Sequence, residues 1–193
     1  TTSLSSRCLL TPLGIDLAPH TPSKSLKLVG GGRVWPWQNP WENLSLLLGI
    51  LDDNDSGEVH WFTPPDVSVP VEHPRLTIQP WTSRTAYRTV LQTAHIGLDL
   101  NPPSPERRLA CAFRHMEMLG CGIPILSTNH NILSRSAPKL CFFADLNQPQ
   151  SVWKQMTKLV STPPKKPLKV FQQKHSANNI VSSLVSWLDN PTT

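Results

Sequence analysis

Two periods of apolar positions run through this chain. Leu44, Leu47, Leu48 and Leu51 fall at i, i+3, i+4 and i+7, the buried stripe of an amphipathic helix. That helix has a readable start, with Asn39 as cap, Pro40 in the first helical position and Glu42 three residues past the cap. Asp52 to Gly57 end it. Ala86, Tyr87, Val90, Leu91 and Ala94 form the inner face of a second helix, which Thr82 or Ser83 caps. Further helices are predicted from about Glu106 to Leu119, from Pro149 to Val160 and from Ser176 to Leu188. Between them lie short apolar runs of strand length, bounded by Gly, Pro, Asn and Asp: 27–31, 58–63, 75–79, 95–100, 123–127 and 140–144.

Strands that alternate with helices imply right-handed βαβ units. The predicted fold is therefore α/β, a Rossmann-like parallel sheet with helices on both faces. In such sheets ligands bind beyond the carboxyl ends of the strands, which directs attention to loops 30–39, 79–83, 101–113 and 127–132. Residues 1–25, rich in turn formers, read as a linker. Residues 26–175 read as the domain, and 176–193 as a C-terminal helix. No internal repeat is present.

Composition narrows the function. Twenty prolines in 193 residues are about twice ordinary usage and fit short elements joined by stiff loops. The net charge of +5 suits a small anionic partner. Its lysines and arginines run no longer than Lys165-Lys166 or Arg107-Arg108, which argues against nucleic acid as partner. Cys8, Cys111, Cys121 and Cys141 show neither CxxC nor histidine-paired zinc spacing, so they read as small hydrophobes in a reducing compartment, and no metal is expected. No apolar run reaches membrane-spanning length. These features together point to a cytoplasmic setting.

Two segments carry chemistry. Gly30-Gly31-Gly32-Arg33 follows the first predicted strand, where glycines let backbone approach a phosphate and an adjacent guanidinium can hold it. The same residues also suit a plain turn with a solvated arginine. Downstream, Ala112 to Ile125 takes a helix through Gly120 and Gly122 into a strand. Glu117, one turn before that helix ends, is badly placed for the helix dipole; a carboxylate there can accept both hydroxyls of a ribose, and an ordinary solvated glutamate fits equally well. Arg114 stands three residues earlier, in reach of an ordinary i, i+3 ion pair. Trp81 follows the third strand and is suited to stacking on a base or to packing. Trp35, Trp37 and Trp41 surround the first loop and helix and suit packing or a cleft wall that faces a partner domain. His115 and His130 lie near the cleft, whereas His60 and His95 sit in strands.

The segment Glu117 to Ile125 resembles the E-A-M-A-C-G-x-P-V segment of family 4 glycosyltransferases of the GT-B fold, matching at Glu117, Cys121, Gly122, Pro124 and Ile125. Gly32-Arg33-Val34 resembles the G-R-L that follows the first strand of their C-terminal domain. Gly30 to Gly32 with Trp37, Asn39 and Pro40 resembles a subgroup reading G-G-G, then W-x-D-P. Thr11 to Asp16 is similar to the V-P-N-G-V-D that enters that domain. Each motif is short, but together they run in order along essentially the whole chain.

The resemblance implies a nucleotide-diphosphate sugar as donor substrate, with no cofactor. It implies that Glu117 binds the ribose, and that Arg33 and the amino end of the 106–119 helix neutralise the diphosphate. The donor-binding set is then Gly31, Gly32, Arg33, Gln38, Trp81, Ala112, Phe113, Arg114, His115 and Glu117. Three positions depart from the pattern. The family lysine after G-R-L falls on Gln38, the first glutamate of Glu-x7-Glu on Leu109, and the glycine of F-G-L on Ala112. Arg114 or His115 is then the candidate for the missing positive charge, and Glu106 for the lost acid.

A sugar-transferring enzyme of this kind places its donor between two domains. These residues would supply one, and an N-terminal domain of the same enzyme, the route by which it would associate with a membrane, the other. Transfer would be metal-independent and retaining. Two other readings fit the same layout: a non-catalytic nucleotide-binding or scaffold module, and half of a nucleotide-sugar epimerase.

Overall fold

A computed structural model describes residues 20–35, 38–106, 113–129, 133–134, 137–176, 178–182 and 185. The strands are β1 (Lys27–Gly31), β2 (Glu58–Thr63), β3 (Leu76–Pro80), β4 (Ile96–Asp99), β5 (Ile125–Ser127) and β6 (Cys141–Phe143). The helices are α1 (Trp41–Asp53), α2 (Arg84–Thr93), α3 (Phe113–Gly120), α4 (Pro149–Ser161) and α5 (Lys165–His175). The strands form a single six-stranded sheet in the order β3-β2-β1-β4-β5-β6, with every pair parallel.

Alternation along the strands divides the core in two, because successive side chains point to opposite faces. Val29, Phe62 and Ile125 pack with Tyr87 and Leu91 of α2, Met116 and Leu119 of α3, and Leu168 and Phe171 of α5. Their neighbours Leu28, Trp61 and Leu126 face the other way, onto Leu44, Leu47, Leu48 and Leu51 of α1 and Val152, Met156 and Leu159 of α4. The leucine stripe read from the sequence is thus the inner face of α1.

The helix ends follow from local chemistry. Pro40 already has helical angles, and Asn39 Oδ1 accepts the Trp41 N–H at 3.4 Å. Ser83 caps α2, its hydroxyl accepting the Ala86 N–H at 3.2 Å. Residues 20–23, within the predicted linker, are hydrogen-bonded to the end of α2. The Thr21 and Ser23 amides donate to the Gln92 and Thr93 carbonyls, and the His20 ring lies 2.6 Å from the Ala94 carbonyl oxygen.

Helix α5 is absent from the pattern reading, and its segment carries Pro163, Pro164 and Pro167. All three stand before or within its first turn, where a missing N–H costs no helical bond. Gln172 of α5 donates to the Gly120 carbonyl at 2.9 Å and lies 3.4 Å from that of Leu119, completing the end of α3 that the amides of 121–123 already cap in part. The predicted final helix is seen in residues 178–182 and 185, where Val181 and Val185 are exposed. Trp187 and Leu188 lie outside the described residues, as do Cys8, Cys111, Leu109 and His130. Among the described residues no helix is long and apolar enough to cross a membrane.

Candidate functional site

The strand order reverses direction between β1 and β4, so the chain leaves these two neighbouring strands towards opposite sides. The gap left at their carboxyl ends is where open α/β sheets hold ligands. Here that gap is a cleft of about 300 Å³. Gly31, Gly32, Arg33, Val34 and Gln38 line it from the β1 side, Leu98 to Asn101 from β4, Trp61 from β2, and Arg114 and His115 from α3.

The β1 end requires glycine. Gly31 has φ +124°, and a Cβ there would stand 2.0 Å from the Phe62 carbonyl oxygen. Gly32 has φ +144° with open space around it, while its amide donates to that same oxygen at 2.8 Å. Backbone without side chains therefore forms one wall of the cleft, as close approach of a phosphate demands.

Positive groups line the wall beyond it. Arg33 forms a two-point ion pair with Asp66, at 2.9 and 3.3 Å, whose hydrogen bonds hold the Asp66 carboxyl below its ordinary range. Its guanidinium also lies over the rings of Trp35 at 5.9 Å and Trp81 at 5.8 Å. Arg114 lies over Trp81 at 5.1 Å and over Tyr87 at 5.5 Å. Aromatic rings and guanidinium groups therefore alternate from the β1 loop across to α2 and α3, each contact a cation–π attraction. Tyr87 is buried, which pushes its phenol well above the usual tyrosine range, and the nearby Arg114 charge offsets only part of that.

Gln38 is buried, 3.5 Å from Glu106. Glu117 accepts a hydrogen bond from Arg84 at 3.0 Å, so its ion-pair partner is Arg84 of α2; Arg114, the i−3 neighbour, stacks on the aromatic rings instead. His115 Nε2 stands 3.9 Å from Asp99 Oδ2.

The structure brings six residues of the sequence-derived set to one cleft: Gly31, Gly32, Arg33, Gln38, Arg114 and His115. Trp81 and Glu117 do not line it; they flank it through their contacts with Arg33 and Arg114 and with Arg84. Phe113 opens α3, and Ala112 lies outside the described residues. Sequence reasoning overlooked Asp99 and Asn101. The available signal was Asp99 itself, a lone acid closing an apolar strand at the ligand-binding edge.

By sequence, no family model and no curated protein matches the chain. By structure, a pneumococcal O-GlcNAc transferase, GtfA, solved with UDP and GlcNAc, matches 91% of it with a TM-score of 0.66 at 8% identity. The lipopolysaccharide outer core galactosyltransferase WaaB matches 94% with a TM-score of 0.59 at 12% identity. The chain thus has an α/β Rossmann-like fold that matches part of each of these two GT-B glycosyltransferases. A putative UDP-N-acetylglucosamine 2-epimerase from Listeria monocytogenes also matches, over 93% of the chain with a TM-score of 0.53 at 9% identity. The chain spans 38% of the GtfA chain, 54% of WaaB and 50% of the epimerase. A match of this length and identity carries the Rossmann-like α/β fold and leaves the chemistry to the residues of the cleft.

Proposed function

We propose that this chain is the nucleotide-diphosphate-sugar-binding domain of a GT-B glycosyltransferase, corresponding to the C-terminal half of such an enzyme. The observation that carries this reading is the cleft at the β1–β4 reversal, with bare backbone at Gly31 and Gly32 facing Arg33, Arg114 and His115. A diphosphate is a compact dianion whose oxygens need close approach and positive charge, and the glycines and arginines of this cleft provide for both.

In this reading Arg33 exchanges Asp66 for the diphosphate, and Glu117 exchanges Arg84 for the ribose hydroxyls. During transfer the diphosphate leaves with the negative charge that develops, and fixed cations beside it lower the barrier. Following the family resemblance, transfer is retaining and metal-independent, and the acceptor is held by a second domain.

Calorimetric titration of the chain with UDP-glucose, GDP-mannose and ADP-glucose tests the assignment. Binding of at least one, with a Kd of about a millimolar or tighter, is expected. No binding by any of the three overturns it. The non-catalytic alternative is favoured by the uncharged Gln38 at the family lysine position and by the engagement of Arg33 with Asp66. The epimerase alternative is favoured by the Listeria neighbour. Product analysis on a protein that joins this chain to its second domain separates them: a glycoside, an epimerised nucleotide sugar, or no turnover with binding intact.

A further inference from the structure

Trp81 stands where two of the cleft's cations meet. It lies in the short loop 81–83, between the end of β3 at Pro80 and the start of α2 at Arg84. Both ends of that loop are fixed: the Trp81 amide donates to the Thr63 carbonyl at 2.9 Å, and Ser83 caps α2. The indole is half exposed and flanks the cleft without lining it. Two guanidiniums that do line the cleft lie over this ring. That of Arg33, from the β1 loop, is 5.8 Å from the ring centroid, and that of Arg114, from α3, is 5.1 Å from it. Arg33 also lies over Trp35 and Arg114 over Tyr87, so Trp81 is the ring that the two arginines share.

An arginine has several rotatable bonds, and ordering it on a ligand weakens binding unless the protein has ordered it beforehand. The kind of partner that orders it matters. A carboxylate, as Asp66 is to Arg33, offsets the charge and occupies N–H donors, here at 2.9 and 3.3 Å. An aromatic face attracts the cation through the ring quadrupole, leaves its net charge in place and offers no lone pair to its N–H groups. Among the aromatic side chains tryptophan does this best. Two like charges drawn to one ring also repel each other, and an anion bound by both relieves that repulsion.

We propose that Trp81 is a positioning residue that holds Arg33 and Arg114 together at the rim of the cleft, so that both guanidiniums converge on one diphosphate. The proposal rests on the reading of the cleft as a nucleotide-sugar site. Trp81 then acts through the arginines and not by contact with the nucleobase, and the two roles leave different marks. Loss of a ring that orders cations lowers both the affinity and its sensitivity to salt. Loss of a ring that stacks on a base lowers affinity and leaves the salt dependence as it was.

The probes are UDP-glucose, GDP-mannose and ADP-glucose, titrated calorimetrically from about 50 to 300 mM NaCl. For whichever binds, Trp81→Leu, which keeps apolar bulk without a π face, is expected to lower affinity about tenfold at the low-salt end and to make the fall with salt shallower. Trp81→Phe restores a ring and is expected to come within about threefold of the unmodified chain. Thermal melts report folding, and Trp81→Gln is held to the same outcomes if Trp81→Leu does not fold. Unchanged affinity in Trp81→Leu overturns the proposal, as does an equal loss in Trp81→Phe. A loss with undiminished salt dependence also overturns it and assigns the ring to the nucleobase, leaving the cleft a nucleotide-sugar site. Binding of none of the three probes overturns the site and the proposal together.

Discussion

At Gly31 there is no room for a side chain, and the neighbouring glycine shows how much of that is space and how much is backbone angle. Gly31→Ala sets a methyl against the Phe62 carbonyl in a conformation that L residues avoid, and is expected to destabilise by about 3 kcal/mol or more. Gly32→Ala meets strain alone, with nothing within 4 Å, and is expected to cost about 1 kcal/mol. Urea titration of the two variants measures the difference. Tyr87 carries a second residue-scale prediction. Its hydroxyl is buried near Arg114 without a hydrogen bond of good geometry among the described residues, and its phenol is held above the ordinary range, so the unfolded chain ionises first as pH rises past about 10. Stability contributed at neutral pH is lost in that alkaline window. Tyr87→Phe is expected to match or exceed the unmodified chain by up to about 1 kcal/mol and to lose less of its stability above pH ~10. A larger alkaline loss in Tyr87→Phe contradicts it. For Glu117→Ala the expectation is nucleotide affinity lower by about tenfold to several hundredfold. Because Glu117 is mostly buried while Arg84 is half exposed, a loss of stability of about 1 kcal/mol or less accompanies it. Unchanged affinity removes the ribose role.

Among the elements, α3 shows how a helix end is finished by a neighbour. The amides of Cys121, Ile123 and Gly122 in the following turn donate to the Glu117, Met118 and Leu119 carbonyls, and Gln172 of α5 reaches across to the remaining one, that of Gly120. Gln172→Ala is expected to lower stability by about 1 kcal/mol in thermal or urea unfolding, with nucleotide affinity little changed. An effect confined to affinity would place α5 in the site instead. Helix α1 was legible from its leucines, and α2 from Ser83 and its apolar face, because their burial patterns match the helical period. Helix α5 was not legible: it buries only Leu168 and Phe171, and its prolines read as breakers until their place in the first turn is known. The ion pairs divide in the same way. An i, i+3 pair between Arg114 and Glu117 is allowed by spacing, but α2 brings Arg84 to Glu117 and the loop between β3 and α2 brings Trp81 to Arg114, and those contacts decide the matter.

For the whole molecule, the proposed role as one side of a two-domain cleft predicts that the chain binds a nucleotide sugar yet transfers no sugar by itself. A panel of donors and acceptors assayed with the purified chain checks this, and turnover at an ordinary enzymatic rate refutes it. Exposed Val181 and Val185 near the C-terminal end fit a surface that a second domain covers. The alternation of strand and helix was written in the sequence by itself, because period and turn chemistry are local properties. So was the glycine-rich exit from β1, because the freedom to adopt positive φ belongs to the residue. The order β3-β2-β1-β4-β5-β6 was decided only in three dimensions, since every parallel pairing satisfies the same local pattern. That order put Asp99 and His115 beside Gly31 and Arg33 in one cleft, and it left Trp81 and Glu117 at its flank. Residues far apart in the chain share a site only where strands become neighbours, and strand neighbourhood is a property of packing.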